Sequence, residues 1–366
     1  MTYFNEFDQK PAKSARSRQL TNIILLVITT LIVTAIGEGL FRYRFDSGGY
    51  QPPETVLQIQ NQLVTHPDYG FAWRPNVSKD EGIVFDVADV EYEPLSTDAN
   101  GFINHPDALR NSTVDILGLG DSFVEHAAHT WFELAKDRRL KYYSMALHRT
   151  APPQYAQILK AHIGGGKPKW IVIGLFENDF VETSDFQQWQ ESELDWFEYH
   201  SGTWCGPPVD ESFSTSLRDG LFQGWSAAFK NVRANIRGGR TTITGPSDEE
   251  IESVTNALRD IRTFAKEIDS RPLIVFIPSK PTATQAFTNE AEAYDAVIGA
   301  LRKNGPLEFL DLGPAFRAHS NPKSLYYEID GHWNATGMTF AGQLILDYMR
   351  RAEIVEKQLP PKGEAM

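Results

Sequence analysis

From Thr113 onward the chain alternates short apolar runs with longer segments in which apolar residues recur every three or four positions. Five runs read as strands: Val114 to Leu119, Tyr142 to Met145, Trp170 to Phe176, Pro272 to Pro278 and Leu307 to Leu312. The segments between them have helical spacing, most clearly Glu249 to Ile268. There, Ser247 and Glu250 have the S-x-x-E spacing of a capping box. A final helix is expected over roughly Met338 to Arg351. Apolar strands separated by amphipathic helices predict an α/β fold with a mainly parallel sheet covered on both faces.

The alternation is interrupted between Glu182 and Gly245 by a long insertion containing Trp189, Trp196, Trp204, Trp225 and Gly238-Gly239-Arg240. Insertions of this size are often lids or binding loops. Its tryptophans would suit sugar faces, although packing in a core or lid is the commoner use of such residues. Upstream, residues 42–110 read as a tether with turn-forming Gly48, Gly49, Pro52 and Pro53, then a small lead-in with short apolar alternations such as Ile83 to Val90. The α/β domain is expected over 111–352, with the insertion at 182–245 and a tail at 353–366.

A different pattern governs residues 20–41, LTNIILLVITTLIVTAIGEGLF, which carry no charge until Glu38. This is about the length a helix needs to cross a ~30 Å hydrocarbon layer. Lys10, Lys13, Arg16 and Arg18 precede it, so residues 1–19 are expected in the cytoplasm and the remainder beyond the inner membrane. A cleaved signal peptide is the alternative, with Val33 and Ala35 forming a small-residue site. In either case the rest of the chain is exported.

Composition narrows the partners. The 366 residues have a formal net charge of -13, which repels phosphate backbones, and nucleic acid is not expected as a partner. The single Cys205 excludes an intramolecular disulfide and any multi-cysteine metal site. Oligomeric state is not legible.

In an open parallel sheet, ligands bind beyond the C-terminal ends of the strands. The first run ends in Gly120-Asp121-Ser122 before helix-compatible residues. That places Ser122 where free N–H groups and the helix dipole favour a developing oxyanion. Capping of the helix by Asp121 and Ser122 is the commoner use of such residues. Near the C-terminus Asp330-Gly331-His332-Trp333-Asn334 could supply a base and its orienting carboxylate, or only a loop hydrogen bond. Asn178, at the end of the central run, suits an oxyanion donor or an Asx-turn. Glu125 and His126, one turn into the first helix, could face the cleft, although solvated helix positions are the commoner reading. Asn76, Asn111 and Asn334 sit in N-x-[ST] sequons, and a glycan at Asn334 would crowd His332.

With these blocks in place, the sequence resembles the SGNH, or GDSL-like, hydrolases over roughly Asn111 to Met349. Gly120-Asp121-Ser122 is similar to the nucleophile block, Asn178 to the oxyanion-hole asparagine, and Asp330 with His332 to the C-terminal Asp/His block. The resemblance implies a flavodoxin-like three-layer sandwich and a Ser122, His332, Asp330 triad. It also implies an oxyanion hole from Ser122, Ala146 and Asn178, and no metal or organic cofactor. Asp121, Asp179 and Trp333 beside these blocks are expected to contact substrate.

Two features depart from the family pattern. Ala146 stands where the second block usually has a glycine, and one residue instead of two separates Asp330 from His332. The D-x-H-W-N form is similar to membrane-associated proteins that acetylate or deacetylate bacterial surface polysaccharides. So are the anchor, Gly70-Phe71-Ala72-Trp73-Arg74-Pro75-Asn76 and the Asn100-Gly101-Phe102 turn. The expected substrate is an acyl ester or carbohydrate; a non-catalytic scaffold or glycan-binding module is the alternative.

Overall fold

The computed structural model describes residues 62–81, 96–108, 113–164, 166–199, 246–285, 288–304, 308–328 and 331–358, together with Leu25, Leu26 and Thr29. The anchor at 20–41 lies almost wholly outside them, and so do Ile83 to Val90, the insertion beyond Tyr199 and Asp330. Among the described residues no helix is long and apolar enough to cross a membrane.

Among the described residues, seven strands form two sheets. β1 (Leu63–His66) and β2 (Gly70–Trp73) make an antiparallel hairpin. β3 (Ile116–Leu119), β4 (Tyr142–Ser144), β5 (Trp170–Leu175), β6 (Arg271–Phe276) and β7 (Glu308–Asp311) form a sheet in the order β4-β3-β5-β6-β7, with every pair parallel. Numbered within the sheet, the order is 2-1-3-4-5, which is the flavodoxin-like doubly wound arrangement. Each of the five expected strands is present, one or two residues shorter than expected, and β6 starts one residue earlier, at Arg271.

Strand residues alternate between two cores. Ile116, Trp170, Val172, Leu273 and Val275 face α1 (Ser122–Asp137) and α9 (Ala335–Gln358). Leu117, Leu119, Ile171, Ile173, Leu175, Ile274 and Phe276 face α2 (Pro152–His162), α3 (Asp179–Glu191), α5 (Asp248–Glu267) and α7 (Thr288–Asn304). This period of two, buried on both sides, is why the strands read as continuous apolar runs. The expected capping box closes the start of α5: Ser247 Oγ accepts from Glu250 N–H at 3.2 Å and Glu250 Oε2 from Ser247 N–H at 2.7 Å. Such a cap stabilises a helix by about 1 kcal/mol. Shorter helices among the described residues are α4 (Trp196–Tyr199), α6 (Lys280–Thr284) and α8 (Gly313–Arg317).

Residues 182–199, read from sequence as the start of an insertion, continue the helical layer. Phe180, Phe186 and Trp189 of α3 are buried, and Trp189 packs edge-on to Trp196 with ring centroids 5.2 Å apart. Those two tryptophans are therefore packed in the core. Trp204, Trp225 and Gly238-Gly239-Arg240 lie outside the described residues.

The lead-in packs against the sheet and α1. Asn104 accepts from Ser144 N–H at 2.8 Å and donates to Ser144 O at 3.0 Å, so its amide covers the free edge of β4 as a strand would. Gly101 has φ of +82°, and a Cβ there would stand 2.3 Å from Trp73 O. Trp73 in turn donates to Glu125 on α1 at 2.7 Å. Glu125 is therefore buried between Trp73 and His148, not solvated, because the lead-in covers that face of the helix.

At the head of α1, the Val124 side chain packs directly on the backbone of Gly120 and Gly174. A Cβ on either Gly120 or Gly174 would lie 2.4 Å from Val124 Cγ2. We expect Gly174→Ala to lower stability by about 1–3 kcal/mol through overpacking, with Val124→Ala in the same chain restoring part of the loss. Equilibrium denaturant midpoints of the full-length chain check this; an unchanged midpoint would show that the contact is slack.

Candidate active site

Ser122 is the first residue of α1 and follows the turn at Gly120, whose φ is +157°. Asp121 caps the helix, accepting from Phe123 N–H at 3.0 Å. The cap leaves Ser122 at the end of the macrodipole, among first-turn N–H groups that have no carbonyl partner within the helix. Asp121 takes the cap, and Ser122 stands at the first position of the helix.

His332 reaches Ser122 from the loop before α9. Its Nε2 lies 2.8 Å from Ser122 Oγ. The loop is tied down on both sides: Tyr327 N–H donates to His332 O at 3.1 Å, and Asn334 Nδ2 donates to Ser324 O and to Tyr326 O at 3.0 Å each. Asn334 Oδ1 also accepts from Thr336 and Gly337 N–H. The sequon amide is thus an internal strut of the histidine loop. Aromatic rings hold the imidazole from below. Phe123 stands 4.8 Å from His332 and 5.0 Å from Trp333, and Trp333 stacks on Phe316 at 5.5 Å. His126, half-buried one turn along α1, places its ring 4.9 Å from that of His332. Asp330 lies outside the described residues.

Asn178 immediately precedes α3, just beyond the end of β5. β3 and β5 are adjacent, and the chain winds from them to opposite faces of the sheet, so Ser122 and Asn178 border the topological switch point. The loop after β4 runs alongside. Met145 N–H donates to Gly118 O at 2.8 Å and Leu147 N–H to Gly120 O at 3.0 Å. Ala146 N–H, between them, is taken by Ser144 Oγ at 3.2 Å, which competes with the oxyanion role expected for it. Ala146 is not among the residues with positive φ; in this loop that conformation falls on Arg149, at 52°.

Asp121, Asp179 and Trp333 are each at most 1% exposed, and the carboxylates bond to scaffold groups. Asp179 accepts from Tyr155 OH and from Phe176 N–H, each at 2.6 Å, so it holds the end of β5 against α2. Burial, more than any other cause, raises Asp179 well above the usual carboxylate range, and the nearby Asp121 charge adds to it. Burial likewise pushes Asp121 up to about 6 against the opposing pull of the Phe123 N–H bond and His332. Glu182, one turn along α3, accepts from Asn178 Nδ2 at 3.1 Å. Its position four residues after a strand-end asparagine was the legible sign of this contact.

No known family profile and no curated protein matches the chain. Solved structures similar to it include a GDSL-like lipase from Bacteroides thetaiotaomicron, at 11% identity over 65% of this chain and 88% of that one with a TM-score of 0.36. A lipase from a goat rumen metagenome is 10% identical over 64% and 97%, with a TM-score of 0.38. An acetyl xylan esterase is 11% identical over 64% and 98%, with a TM-score of 0.37. Overlap this partial assigns nothing by itself; the strand order, the switch point and the Ser122 to His332 contact stand on the geometry above.

The raised Asp121 has a consequence for stability. A carboxyl whose folded pKa of about 6 exceeds the ordinary value of 3.8 keeps its proton longer in the folded state, so its contribution falls as pH rises through that window. Asp121→Asn retains the cap oxygen and removes the titration. We expect the variant to gain stability relative to wild type as pH rises from about 4 to about 6, and the difference to level off above that. Thermal unfolding midpoints across this range test it; a constant difference would contradict it.

Proposed function

We propose that this chain is a serine-dependent acyl-ester enzyme of the SGNH, or GDSL-like, type, acting by hydrolysis or by O-acyl transfer. The observation that carries the reading is the 2.8 Å approach of His332 Nε2 to Ser122 Oγ at the switch point of a 2-1-3-4-5 parallel sheet. With its proton on Nδ1, His332 accepts the Ser122 hydroxyl proton as Oγ attacks the ester carbonyl. The oxyanion of the tetrahedral intermediate is met by Ser122 N–H, at the positive end of α1, and by the Asn178 amide. His332 then gives its proton to the leaving alcohol. Water, activated by the same histidine, releases the acid from the acyl-enzyme; a sugar hydroxyl in its place yields a new ester. Asp330, two residues before His332, is assigned the orienting role by its place in the sequence.

An exported location is supported by the apolar run at 20–41, uncharged until Glu38, and by the cations before it. It puts the enzyme at the inner membrane, with its catalytic domain outside the cytoplasm. There an acetylated carbohydrate is the substrate class we favour. One observation favours the rival reading of a non-catalytic scaffold or glycan-binding module: Ala146 N–H is already engaged by Ser144 Oγ.

Hydrolysis of a small activated acetate ester by the full-length chain separates the two. Ser122→Ala should abolish turnover. His332→Ala should reduce it by roughly 10²- to 10⁴-fold, the usual worth of general-base assistance. Asn178→Ala should lower kcat by roughly 10²- to 10³-fold, as for removal of one oxyanion donor. Equal near-background rates in all four proteins, with glycan binding intact, would establish the scaffold instead.

A further inference from the structure

The partner of the Asn178 amide is unusual for an oxyanion donor. Asn178 Nδ2 donates to Glu182 Oε1 at 3.1 Å, from the N-cap position of α3 to its first turn. The two other polar atoms of the pair, Asn178 Oδ1 and Glu182 Oε2, are buried and have no hydrogen-bond partner among the described residues. An ionised carboxylate beside an amide leaves both of these as acceptors with no donor. Buried acceptors in that state are costly. A carboxylic acid supplies the missing hydrogen, because its O–H donates while its other oxygen continues to accept from Nδ2.

We propose that Glu182 is a positioning residue, held as the neutral acid, which clamps the Asn178 amide and so aims its second N–H at the oxyanion. This rests on the acyl-ester reading above.

The surroundings favour the neutral form. Burial and then the charge of Asp121 push Glu182 up to about 8, with Asp185 adding to the rise; Arg149 and the Asn178 bond oppose it. Asp179, on the same helix, and Tyr155, on α2, are the other titratable groups that sense it. Ionisation of Glu182 removes the second bond of the clamp. It also sets a negative charge beside an amide that must stabilise another one, and both effects raise the barrier.

The test uses the full-length chain with the same activated acetate ester, from about pH 6 to about pH 9. Wild-type kcat should fall on the alkaline side near pH 8, where Glu182 loses its proton. Glu182→Gln keeps the volume, one acceptor and one donor with no titration. It should therefore match wild type at neutral pH and lack the alkaline fall. Glu182→Ala frees the amide and should lose roughly 10- to 10²-fold in kcat with little change in KM.

Thermal unfolding of Glu182→Gln verifies that it folds. The infrared difference spectrum of wild type minus this variant should show a protonated carboxyl at neutral pH, whatever the activity. Undiminished kcat in Glu182→Ala would overturn the clamp. So would an alkaline fall that survives in Glu182→Gln, or the absence of the carboxyl band. If turnover does not depend on Ser122 at all, the acyl-ester reading fails and the clamp's role falls with it. If turnover depends on Ser122 but ignores Glu182, the clamp alone fails.

Discussion

The structure depends on how closely the first turn of α1 approaches the ends of β3 and β5. Gly120 and Gly174 have no side chains, and Val124 fills the space that their Cβ atoms would take. This contact fixes where α1 begins, and hence where Ser122 stands relative to the strand ends. Any side chain at either glycine would lift the helix from the sheet. His332 arrives from the other end of the sequence and has to meet Ser122 within hydrogen-bond reach, which a displaced helix would not allow.

Three carboxyl groups withdrawn from solvent cluster at the site: Asp121 and Asp179 are buried, and half-buried Glu182 has its Oε2 shielded. Each sits at a junction. Asp121 caps α1, Asp179 ties β5 to α2 through Phe176 N–H and Tyr155 OH, and Glu182 engages Asn178. Burial disfavours their charged forms, and their proximity makes simultaneous ionisation harder still. The groups that position the site therefore also make the fold sensitive to pH. Stability and site geometry are linked through protons held at these junctions.

The lead-in contributes through contact with the same elements. Its Asn104 covers the edge of β4, and its Trp73 reaches Glu125 on the helix that carries Ser122. A small hairpin of this size would be marginal alone. Here it shares the core of the helical layer, with Phe71 and Trp73 fully buried.

Much of this fold is legible in the sequence. The apolar periodicity located five strands and the long helices, because buried parallel strands need continuous apolar runs and helices need a face. Ser247 with Glu250 announced a helix start because that spacing satisfies two free N–H groups at once. Gly120-Asp121-Ser122, Asn178 and His332 were visible as polar residues where apolar runs stop, and strand ends are where such a sheet exposes its chemistry. What depended on tertiary structure was which groups meet. That Ser122 and His332, 210 residues apart, share a hydrogen bond follows from strand order, which pattern alone does not specify. The burial of Glu125 required the lead-in to fold over α1. The engagement of Ala146 N–H by Ser144 and of Asn178 by Glu182 is set by loop geometry at the level of single bonds. Sequence periodicity determines which face of each element is apolar; only the assembled layers decide which polar atoms are left facing one another.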